Sequence, residues 1–143
     1  MRIGLKHVDE LPKGFWKWPH IDPVKEWACK GDGSIVVETD FLDRVEALRK
    51  AVNRPLIITS GYRSPEYNVR VAESGPNGPH TTGRAVDIAI YGEHLHETVW
   101  HAMRLGFQGF GLAQKLGSAP ANRFLHLDDL TQPQFTRPLF WTY

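Results

Sequence analysis

Two residues seven positions apart, His80 and Asp87, offer an imidazole and a carboxylate across the short segment Thr81-Thr82-Gly83-Arg84-Ala85-Val86. Both side chains are good transition-metal ligands. Far downstream, Phe124-Leu125-His126-Leu127-Asp128 adds a second imidazole with a carboxylate two positions on. Upstream, Ser60-Gly61-Tyr62-Arg63-Ser64 supplies a guanidinium among hydroxyls. If these pieces converge, His80, Asp87 and His126 form a zinc site with one tetrahedral position open, the pattern of catalytic rather than structural zinc. Zinc lowers the pKa of a bound water to about 7, which suits hydrolysis at neutral pH. Hydrolysis also needs a group to manage the water's proton and a donor for the developing oxyanion. Asp128 is a candidate for the first task, or else an orienting partner of a ligand. Arg63, a fixed multi-donor fork, suits carboxylate recognition and oxyanion support.

Each residue also has a plainer role open to it. His80 can cap a loop, Asp87 can pair with Arg63 or Arg84, and His126 can be a core histidine on a strand. The remaining histidines are weaker candidates. His94 and His101 share one helix face, which reads as solvated, and His7 and His20 fall in an irregular N-terminal stretch.

The chain has 143 residues, 41% of them hydrophobic and 23% charged, as expected for one soluble domain with a real core (1–143). A formal charge of +1 gives no electrostatic case for a nucleic acid or an anionic membrane as partner. The single cysteine, Cys29, excludes an internal disulfide and a thiolate zinc cluster, so zinc must use His and carboxylate. The first residues hold no apolar run of signal-peptide length, and no window approaches a membrane span. Synthesis in the cytoplasm is therefore expected, with another component delivering the protein to any outside substrate. A monomer is the default.

Positioning these groups requires strands and turns at particular places. Residues 1–24, with Pro12, Pro19 and Pro23 among Phe15, Trp16 and Trp18, read as an irregular wrap whose aromatics cap the core. Ile35-Val36-Val37 is a short β-branched run, either a strand or an extended link. The spacing of Phe41, Leu42, Val45, Leu48 and Val52 predicts a helix begun near Thr39 or Asp40 and ended by Asn53-Arg54-Pro55. Leu56-Ile57-Ile58-Thr59 reads as a buried strand that delivers Ser60, Tyr62 and Arg63 at its end. A short helix follows Pro65, and then comes a loop over 73–79 with His80 at its exit. A strand over 84–90 turns Val86, Ile88 and Ile90 inward and Asp87 to the opposite face. A helix over 92–105 buries Leu95, Val99, Ala102 and Met103 and stops at Gly106. A glycine-rich strand over 108–113, a loop over 115–122 and a strand over 123–128 complete the core, the last with Phe124, His126 and Asp128 on one face. The aromatic tail, 131–143, is expected to pack back, leaving a wrap over 1–38 and a core over 39–130.

Four motifs in order carry a resemblance to a known family: Ser60-Gly61-Tyr62-Arg63-Ser64 with Asn68, His80-x-x-Gly83-x-Ala85-x-Asp87, Gly109-x-Gly111, and Phe124-x-His126-x-Asp128. Over about residues 40–130 the chain resembles the zinc D-Ala-D-Ala carboxypeptidases and L-alanyl-D-glutamate endopeptidases, which share a fold with the hedgehog signalling domain. The resemblance implies an α+β fold with a small, mainly antiparallel sheet and packed helices. It implies His80, Asp87 and His126 as zinc ligands, with Arg63 binding substrate or stabilising the transition state, Ser60 and Tyr62 beside it. The implied substrate is the peptidoglycan stem peptide. The match is to a short branch often encoded by phages and prophages, in which such enzymes are endolysins released by a holin-type partner and act on the cell wall.

Two departures concern the proton-handling group. Some relatives carry Glu three residues before the last zinc histidine, where Arg123 stands here, and others carry His two before it, where Phe124 stands. Asp128, Glu93 or a loop residue is left for that role. Gly78 replaces a serine common two residues before the first zinc histidine. Two rivals follow: a non-catalytic zinc-containing protein of the same fold that binds cell wall, as in a virion, and a zinc-free protein whose motif residues form salt bridges.

Overall fold

The apolar runs pair off as their burial demands. In the computed structural model, which describes residues 1–143, strand β1 (Arg2–Leu5) lies antiparallel to β2 (Ile35–Glu38), with Ile3 opposite Val37. Residues 1–24 are thus not wholly irregular. The buried Ile35-Val36-Val37 segment needs partners for its backbone groups, and the N-terminus supplies them. The rest of the wrap packs as its aromatics suggest: Trp18 is buried with its indole N–H donating to Asp43 at 2.8 Å, and the Trp16 indole donates to the Ile21 carbonyl at 2.8 Å.

Helix α1 (Thr39–Val52) buries Phe41, Leu42, Val45, Leu48 and Val52, the face its spacing predicts. Asn53 ends it in the left-handed conformation (φ 51), two residues before Pro55. The chain continues through β3 (Ile57–Ser60), α2 (Pro65–Val71), β4 (Ala85–Ala89), α3 (Gly92–Arg104), β5 (Gly109–Ala113), β6 (Phe124–Asp128) and β7 (Leu139–Thr142). On α3 the inward residues are Thr98 and Ala102, with Leu95 and Val99 partly buried. Met103 is 55% exposed rather than buried, because one residue past Ala102 is about 100° further round the helix.

The main sheet has the order β3-β4-β6-β5-β7, antiparallel throughout except for the parallel β5–β7 pair. The α+β fold with a mainly antiparallel sheet is that of the hedgehog/DD-peptidase type. One sheet face carries Val86, Ile88, Phe110, Leu125 and Leu127 into a core shared with α1 and Ala102 of α3. On the opposite face the register aligns a row of side chains across the strands: Ser60, Asp87, His126, Gly111 and Trp141. A second row aligns Ala85, Asp128, Gly109 and Leu139.

Ion pairs fasten the helical layer to the sheet. Buried Asp129, just past β6, accepts from Arg44 of α1 at 2.6 Å and from Arg84 at 2.8 Å. Arg84 also grips Asp40 at 2.7 Å, so it is not the partner of Asp87.

Candidate metal centre

Asp87 and His126 are direct cross-strand partners, so β4 and β6 project them from the same face at the same level. His80 arrives from outside the sheet, on the 3-10 turn Pro79–Thr82. Gly83 closes that turn with φ 77, a left-handed conformation that favours glycine, and returns the chain into β4. The turn is tied to the end of β3, where the Arg63 N–H donates to the His80 carbonyl at 3.1 Å.

All three side chains are buried, and their ligand atoms lie within 4.8 Å of one another. His80 Nε2 is 3.2 Å from Asp87 Oδ1, and His126 Nδ1 is 3.1 Å from the same oxygen. The far nitrogens settle the tautomers. His80 Nδ1 lies 2.7 Å from the Gly61 carbonyl, which can only accept, so Nδ1 carries the hydrogen. His126 Nε2 lies 2.8 Å from Asp128 Oδ2 and donates to it. The two near imidazole nitrogens and one carboxylate oxygen therefore face one buried spot, which a bound cation, or in its absence a proton on His126 Nδ1 bonded to Asp87, neutralises. This donor set, two nitrogens and one oxygen, fits zinc.

Titration behaviour follows from the same contacts. Burial pushes the His80 pKa down, against the pull of Asp87. Burial acts downward on His126 too, but the Asp128 and Asp87 carboxylates outweigh it and raise its pKa. Burial alone would raise the Asp87 pKa, yet the flanking His80 and His126 hold it well below the usual carboxylate range.

Arg63 stands beside this cluster. Its Nη2 donates to Asp87 Oδ2 at 3.1 Å, its Nε to Ser60 Oγ at 2.9 Å and its Nη1 to Asn68 Oδ1 at 3.2 Å. Ser60 thus meets the site through Arg63 and lines a smaller neighbouring cavity with Lys30 and Tyr67. Tyr62, expected on the substrate side, does not line the cavity onto which the metal ligands open. The turn after β3 buries its ring, which borders the smaller cavity of Ser60 and Arg63 and a groove with Asp32, Ser34 and Pro65.

The metal ligands open onto a cavity of about 520 Å³, whose wall also includes Arg63, Glu73, Phe124, Trp141 and Tyr143. Asp128 is not part of that wall. It is fully buried behind His126, and its oxygens accept from His126 and from Nε and Nη2 of Arg137, all at 2.8 Å. Burial would raise its pKa, but these hydrogen bonds bring it down to about 2. Of the two roles the sequence left open for Asp128, this is the geometry of an orienting partner. Glu93, at the start of α3, lines a different groove with Arg54 and His94.

Glu73, Arg137, Trp141 and Tyr143 are the site residues that sequence reasoning passed over. Signals existed only for the aromatic pair: the period-two spacing of Trp141 and Tyr143 in the tail, and bare Gly111 of β5. A Cβ on Gly109 would sit 2.4 Å from the Asp128 oxygens, and one on Gly111 2.7 Å from the Trp141 ring. Both glycines leave β5 bare so that neighbouring side chains can lie across it, and Trp141 reaches within 5.0 Å of the His126 ring.

A family model described as Peptidase M15 matches residues 23–128. No curated protein and no solved structure gives a match. Because the family match spans most of the chain and holds His80, Asp87 and His126 within it, the chain belongs to the peptidase M15 family, whose members are zinc-dependent.

Proposed function

We propose that the protein is a zinc peptidase that hydrolyses an amide bond in peptidoglycan stem peptides, and that it serves as a phage or prophage endolysin. The observation that carries the chemistry is the meeting of two imidazole nitrogens and one carboxylate oxygen at the wall of an open cavity, next to Arg63. The peptidoglycan assignment is supported by the four ordered motifs of the sequence. In that role, release to the cell wall would depend on a holin-type partner.

His80, Asp87 and His126 would hold the zinc, which when bound acts as a Lewis acid and makes water a nucleophile near neutral pH. Arg63 fixes Asp87 through Oδ2 and keeps two of its five N–H groups for a substrate carbonyl or carboxylate. Asp128 orients His126. Glu73 takes the proton: it lines the same cavity and has no ion-pair partner, whereas both Asp128 oxygens are engaged. Phe124, Trp141 and Tyr143 give the cavity an apolar wall that limits water.

The test is digestion of purified peptidoglycan with and without chelator, with mass analysis of the fragments. Chelator-sensitive cleavage of one peptide amide is expected, restored by added zinc, and the fragment masses identify the bond. Glu73→Gln should slow it by about 10²–10⁴-fold while zinc content is unchanged. A parent protein that binds zinc and leaves the peptides intact would instead be a wall-binding relative without catalysis.

A further inference from the structure

Residues after Asp128 lie outside the family match, yet they reach into the centre of the site. Arg137 approaches Asp128 with two parallel bonds, Nε to Oδ1 and Nη2 to Oδ2, each 2.8 Å long. The pair is almost dry: the Arg137 side chain is 6% exposed and the Asp128 side chain is fully buried. The guanidinium lies 5.1 Å from the Trp141 ring and 5.4 Å from the Phe135 ring. The strand beneath is bare at Gly109, where any Cβ would collide with the carboxylate.

This arrangement bears on the metal through geometry. A carboxylate held at one oxygen can rotate about its Cβ–Cγ bond; one gripped at both by a planar fork cannot. Asp128 Oδ2 is also the acceptor for His126 Nε2, so the plane of the carboxylate sets the plane of the imidazole. That plane in turn sets where Nδ1, the ligand atom, points. We propose that Arg137 is a positioning residue of the metal centre: acting through Asp128, it fixes His126 for zinc, and the C-terminal segment is thereby part of the metal site. The proposal rests on the zinc assignment made above.

The experiment measures zinc affinity by chelator competition, and the absorption of the cobalt-substituted form, on the full chain and its variants. Arg137→Lys keeps the charge and loses the fork. It should lower zinc affinity by about 10–100-fold, the usual effect of removing an outer partner of a ligand, and shift the cobalt bands. Phe140→Ala is the control for strand stability, because Phe140 stacks on Phe110 at 4.5 Å on the opposite face of β7. It should melt lower and bind zinc like the parent. Arg137→Gln should show a larger loss than Arg137→Lys; if the unpaired Asp128 keeps that variant from folding, Arg137→Lys decides. Unchanged affinity in folded Arg137→Lys, or an equal loss in Phe140→Ala, overturns the proposal alone. A parent that binds no zinc overturns the zinc assignment and the proposal together.

Discussion

His80 presents Nε2 to the site because the Gly61 carbonyl occupies its other nitrogen. His126 presents Nδ1 because Asp128 occupies Nε2. The two histidines therefore bind through different nitrogens, each selected by a fixed acceptor behind it. His80→Ala removes a ligand outright and should cost more than about 100-fold in zinc affinity, beyond the range expected for an outer partner. Because His80 sits on a turn rather than in the sheet, the circular-dichroism spectrum should stay native. Full zinc content at parental affinity in that variant would remove His80 from the metal centre.

Strand β5 contributes no functional side chain and is nevertheless indispensable, since its glycines make room for those of its neighbours. The two positions should separate by their effects. Gly109→Ala drives a methyl into the Asp128 carboxylate, so it should destabilise the fold by about 1–3 kcal/mol and weaken zinc binding as well. Gly111→Ala displaces the Trp141 indole; a similar destabilisation is expected, with zinc affinity near that of the parent. Thermal melts paired with zinc titrations check both. Equal zinc affinity in the two variants would mean that the Asp128 contact does not govern His126.

For the whole molecule, the buried site makes stability depend on pH once metal is removed. His126 has a raised pKa in the folded state, so its contribution is complete below the ordinary value of 6.5 and is lost as pH rises above it. His80 has a lowered pKa, so its contribution is lost as pH falls below 6.5. Asp128 drops from 3.8 to about 2, adding about 2 kcal/mol that is present above pH 3.8 and lost toward pH 2. Urea unfolding of the metal-free protein should therefore show greatest stability near pH 6.5, with a decline on both sides and a further loss below pH 3.8. With zinc bound the alkaline decline should vanish, because the metal takes the place of the His126 proton. Stability of the metal-free protein that climbs steadily from pH 5 to 9 would contradict this account.

Sequence by itself determined the local pieces. Helical spacing in α1 and alternation in β4 and β6 fix which side chains share a face, because 3.6- and 2-residue periods are properties of the backbone. That sufficed to put Asp87 opposite the core face of its strand and to align Phe124, His126 and Asp128. The motif order carried the fold type and the metal chemistry. Periodicity does not say which strand lies beside which, or what fills the space above a strand; long-range pairing decides both. The antiparallel register of β4 and β6 brought Asp87 level with His126, and the parallel return of β7 brought in Trp141. Burial of Asp128 against Arg137 gave that carboxylate its place behind the ligand, and the turn after β3 sent Tyr62 away from the cavity. The ligands were legible because metal binding restricts residue type; their supports were not, because hydrogen-bond partners are chosen by proximity that only the folded chain creates.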